Sequence, residues 1–84
     1  MKKSTLKAIS AAERLGFRKP EQSEERVNPY TGKKHLLEPT ACLLYDFVTT
    51  KTATCGRDYT RQEWDWARYG FCELWPDEYF DLLD

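Results

Sequence analysis

Apolar positions along this chain gather into a thin N-terminal stripe and three stronger stretches, separated by charged text. Between Lys3 and Leu15, Leu6, Ile9 and Ala12 recur at three-residue spacing and Gly16 follows as a stop signal, which predicts a short helix. From Phe17 to Val27 the run FRKPEQSEERV is charged, contains a proline and has almost nothing to bury, so it reads as a mobile linker. Asn28-Pro29-Tyr30-Thr31-Gly32 places proline and glycine where a turn wants them, and Lys33, Lys34 and His35 extend it as a basic loop.

Glu38-Pro39 opens a second helix, with proline in the first turn where its missing N–H is not needed. Ala41, Leu43, Leu44, Tyr45, Phe47 and Val48 spread over about half of its circumference, the pattern of a central core helix. It ends near Thr49-Thr50, and Thr52 to Tyr59 reads as a loop. Thr60 and Glu63 form a capping box ahead of a third helix from about Arg61 to Leu74. Pro76 cannot continue that ladder but can start a fourth helix, Pro76 to Leu83, whose first turn carries Asp77 and Glu78. These elements predict a mainly α protein, a small single-domain bundle of three to four short helices. Residues 28–84 form its helical core domain, and residues 1–27 a basic N-terminal helix and mobile linker.

The net charge of −1 conceals a division. Residues 1–35 hold nine Lys/Arg against four Asp/Glu, and residues 36–84 hold four against ten. The two ends are therefore expected to present opposite potentials to partners. No stretch approaches the roughly 20 apolar residues of a membrane span, and MKKSTLKAISAAERLG lacks an apolar core of signal-peptide length. A cytoplasmic protein without membrane contact is expected, with reduced thiols, since Cys42, Cys55 and Cys72 are odd in number and widely spaced.

Candidate chemistry is sparse. The one histidine, His35, lies in a lysine-rich loop, and Cys55 beside Arg57 is the most plausible reactive thiol but has no base placed near it. Catalysis is not expected. His35 and the three cysteines have the ligand count of a zinc site, but they lie 7, 13 and 17 positions apart instead of paired on a knuckle, so neither metal nor cofactor is expected. Lys2, Lys3, Lys7, Lys33 and Lys34, with Tyr30 as a stacking ring, are the candidate nucleic-acid contacts.

The stronger interaction signal is on the third helix. Trp64 and Trp66 are two residues apart, about 200° around the axis, so if Trp64 points inward, Trp66 and Tyr69 face outward among acids, the composition of a binding hot spot. The carboxylates Glu73, Asp77, Glu78 and Asp81 are placed to meet a basic groove.

Four segments, Asn28 to Gly32, Leu44 to Phe47, Trp75 to Tyr79 and Leu82 to Asp84, carry a resemblance. In them the chain resembles a family of small phage and prophage proteins, particularly of Bacteroidetes hosts, with an Asn-Pro-aromatic-Thr/Ser-Gly turn, a Leu-Tyr-Asp-Phe helix and a Trp-Pro-Asp-Glu-Tyr run before Leu-Leu-Asp. The resemblance covers Asn28 onward and implies a phage origin and a small helical domain, without assigned chemistry. The expected function is that of a phage-type interaction protein that inhibits a host defence protein, most naturally a CRISPR effector or other nucleic-acid-processing enzyme, by occlusion. Trp66 and Tyr69 would anchor, the carboxylates would meet the target, and the lysines would touch bound RNA. The alternative is a small nucleic-acid-binding or regulatory module using the basic arm directly.

Overall fold

The computed structural model describes residues 1–51 and 58–83. Four helices and one two-stranded antiparallel sheet follow in the order α1 (Lys3–Arg14), β1 (Glu24–Val27), β2 (Lys34–Leu37), α2 (Pro39–Thr50), α3 (Arg61–Leu74) and α4 (Pro76–Leu82). The protein is thus mainly α, as the periodicities predict.

Helix α2 is the centre, with Leu43, Leu44 and Phe47 fully buried. Helix α3 adds Ala67 and Phe71, whose ring stacks at 6.3 Å from Tyr45 and 5.6 Å from Trp75. The predicted capping box is present: Glu63 N donates to Thr60 Oγ1 at 3.1 Å, and Thr60 N to Glu63 Oε1 at 2.9 Å. These bonds satisfy two donors that a helix start leaves orphaned.

Two expectations for the N-terminal third are corrected. Helix α1 is not an arm on a mobile linker, because Ala8, Ala11 and Ala12 are fully buried and belong to the same core as α2 and α3. Its stripe looks thin in sequence because alanines line it, and small residues let helix backbones approach closely. Opposite it, a Cβ placed on Gly70 of α3 would lie 2.7 Å from Thr5 Oγ1. The helix closes in a Schellman motif, with Gly16 at φ 96° and Phe17 N donating to Ala12 O, which seats Phe17 at 6.0 Å from Phe47.

The second correction concerns Glu24–Val27 and Lys34–Leu37, read as linker and basic loop, which pair as a hairpin. The Asn28–Gly32 turn joins them: Asn28 N donates to Lys33 O, and Gly32, at φ 78°, donates to Asn28 O, both at 2.8 Å. Strands of four residues do not stand alone, and α2 holds these. Tyr45 Oη donates to Val27 O at 3.2 Å, Cys42 Sγ to Leu37 O at 3.3 Å, and Arg26 meets both Asp46 oxygens at 3.0 Å.

Candidate functional site

Folding brings the basic and acidic halves of the chain together. Lys2 of the N-terminus pairs with Glu73 of α3 at 2.6 Å, and Arg14 of α1 reaches Glu63 at 3.2 Å. From the hairpin, Lys33 Nζ and His35 Nε2 meet the two oxygens of Asp81 on α4 at 3.2 and 2.6 Å. Asn28 joins the same residue, donating through Nδ2 to Asp81 O at 3.0 Å while its Oδ1 accepts from Tyr30 N at 2.8 Å. The opposite potentials expected at the two ends are partly offset by these pairs, with Lys2, Arg14 and Lys33 each beside a carboxylate of the acidic half. Exposed pairs such as Lys2–Glu73 contribute only about 0–1 kcal/mol each, so the apolar core holds the fold and the pairs mainly neutralise it.

The shifted carboxylates report the same geometry. Hydrogen bonds from His35 and then Lys33 hold the Asp81 carboxyl below its ordinary pKa. Burial pushes Glu63 up, but the Thr60 N–H and the Arg14 guanidinium outweigh it and leave the carboxyl low. Burial raises the Cys42 thiol, which donates to backbone carbonyls and so behaves as a small hydrophobe.

On the outer side of α3 and α4 the proposed anchors separate. Tyr69 is 58% exposed, with the Arg68 guanidinium 4.9 Å from its ring. Trp66 is half-buried, packs against the core cluster and lies 5.5 Å under the Lys7 ammonium, a cation–π contact. It points away from the middle of the core as its helical position requires, but α1 occupies that direction. Trp64 is also half-buried, its indole N–H donating to Lys51 O at 2.9 Å at the end of α2. An aromatic that the sequence did not single out, Phe80 of α4, is 61% exposed.

Of the acids, Glu73 and Asp81 are engaged as described, whereas Asp77 and Glu78 make no ion pair among the described residues. They sit in the first turn of α4, where the helix dipole favours them. Of the candidate nucleic-acid contacts, Lys2, Lys7 and Lys33 are committed to Glu73, Trp66 and Asp81. Lys3 and Lys34 make no ion pair among the described residues, and Tyr30 is 95% exposed. The would-be zinc ligands are not gathered: His35 is on Asp81, Cys42 is buried against Leu37, Cys72 lies on α3, and Cys55 is outside the described residues. No helix among the described residues is long and apolar enough to cross a membrane.

Comparison with protein-family models, curated proteins and solved structures finds no match. One feature that sequence reasoning missed is a cleft of about 430 Å³ between the hairpin turn, α2 and α4, lined by Asn28, Tyr30, Tyr45, Thr49 and Leu82. Its walls come from segments far apart in the chain, and only the fold places them side by side.

Proposed function

We propose that this chain is a phage-type interaction protein that inhibits a nucleic-acid-processing defence protein of the host, a CRISPR effector being the natural case, by occlusion and without chemistry. The observation that carries this reading is the exposure of two large aromatic rings on α3 and α4. Two large rings, Tyr69 and Phe80, stand exposed on consecutive helices, and the second carries Asp77 and Glu78, which make no ion pair among the described residues. Exposed aromatic anchors with acids suit a basic groove of the sort that holds nucleic acid. Trp66 has a packing role instead, and Glu73 and Asp81 contribute only as far as Lys2 and Lys33 leave them charged toward solvent.

The alternative, a nucleic-acid-binding module working through the basic arm, requires Lys2, Lys7 and Lys33 to leave their partners within the fold. Leaving them costs little, but the neighbouring carboxylates Glu73 and Asp81 dilute the positive field that a nucleic-acid binder presents, and this reading falls behind for that reason. Lys3, Lys34 and Tyr30 remain as the residues for an accessory RNA contact.

In a defence-inhibition assay, with affinity for the captured target measured by calorimetry, Tyr69→Ala and Phe80→Ala are each expected to weaken binding by about 2 kcal/mol, roughly 30-fold. The circular dichroism melt should be unchanged. Full inhibition by the double Tyr69→Ala/Phe80→Ala variant, together with its loss in Lys3→Gln/Lys34→Gln, would put the basic arm ahead.

A further inference from the structure

The register of the hairpin sets Glu25 opposite Leu36 and Val27 opposite Lys34. These four share one face, because the alternate residues turn inward: Arg26 to Asp46, His35 to Asp81 and Leu37 into the core. The face is open, with Leu36 72% and Val27 45% exposed. Its layout is diagonal. The two apolar residues occupy one pair of opposite corners, and the acid and the base occupy the other pair.

We propose that this face is a self-association surface that takes the same face of a second copy of the chain. A two-fold axis along the Val27–Leu36 diagonal lays Val27 on Val27 and Leu36 on Leu36, and it carries Glu25 of each copy onto Lys34 of the other. The operation works because the patch is nearly square: alternate residues on a strand are roughly 7 Å apart and paired strands roughly 5 Å. The two hairpins then cross at roughly 70°, close to orthogonal sheet packing. The result is an isologous interface of two apolar contacts flanked by two symmetry-related ion pairs. Four residues a side cover far less than the roughly 800 Å² per partner of a stable complex, so the dimer forms at concentrations on the order of 0.1–1 mM.

Charge reversal tests the operator itself. By sedimentation velocity from about 10 µM to about 1 mM, a range that brackets this weak affinity, the wild-type chain should pass from monomer to dimer. Glu25→Lys and Lys34→Glu should each remain monomeric, because each gives a face of like charge. An equimolar mixture of the two variants should form the heterodimer, and Glu25→Lys/Lys34→Glu should dimerise as the wild type does. Any of three results overturns the proposal: a wild-type chain monomeric throughout, single variants that dimerise unimpaired, or a mixture that stays monomeric.

Discussion

Replacing Phe71 with alanine is expected to lower the free energy of unfolding by about 3–5 kcal/mol, the range for a fully buried aromatic whose neighbours cannot collapse into the space. Phe71 has no solvent exposure and touches the rings of both Tyr45 on α2 and Trp75 at the α3–α4 junction, so its loss opens a cavity where three helices meet. A domain of this size is stable by roughly 4–13 kcal/mol, so the variant should be largely unfolded well below the wild-type midpoint in urea. Phe80→Ala is the control, chemically identical and nine residues on. Its ring is mostly in solvent, and the expected change is within about 0.5 kcal/mol. Equal losses from the two variants would mean that α4 is buried otherwise than described.

Gly70→Ala is expected to destabilise by about 1–3 kcal/mol, against the usual sign of a glycine-to-alanine change inside a helix. Such a change ordinarily gains up to about 1 kcal/mol. Here the added methyl would stand 2.7 Å from Thr5 Oγ1 and 2.9 Å from Thr5 Cγ2. Both branches of the threonine face it, so one rotamer change does not clear the space, and α1 must move off α3. Thr5→Ala removes both atoms and leaves only the Cβ at 3.3 Å. In that background Gly70→Ala should become nearly neutral, a coupling of about 1–3 kcal/mol in a double-mutant cycle read by chemical denaturation. Stabilisation by Gly70→Ala in the wild-type background would show that the α1–α3 approach is looser than this.

The helices were legible in the sequence because their signals are local. The Thr60–Glu63 box, Pro39 and Pro76 at helix starts, and Gly16 past a helix end each act within a few residues of where they sit. The hairpin was not legible, although its turn was. EERV and KHLL have no hydrophobic alternation of their own, and much of what keeps them extended is distant in the chain, Tyr45 on Val27 at 18 residues and Asp46 on Arg26 at 20 among them. The charge division was legible as a pattern, but its pairings were not. Composition shows where charges lie along the chain but not that Lys2 will meet Glu73 or that Lys33 and His35 will share Asp81.

The site followed the same logic. The helical wheel gives the angle of Trp66 correctly, away from Trp64, yet it carries no information on what packs there. Helix α1, more than 50 residues earlier, brings Lys7 over the ring, so Trp66 is half-buried between the two helices. Tyr69, one step further around, keeps the exposure expected of it, and Phe80 joins it because α4 turns that ring outward.

The central claim is that α1 belongs to the core and that the basic end of the chain is folded onto the acidic end. Native-state hydrogen exchange on the full chain addresses it residue by residue, since amides released only by global unfolding share one opening free energy. The amides of Ala8, Ala11 and Ala12 should exchange with the same opening free energy as those of Ala67 and Phe71, and with the same dependence on denaturant. Exchange of the three alanines at the rate of an unstructured peptide, while Ala67 and Phe71 stay protected, would contradict the account and make residues 1–16 a detachable basic arm.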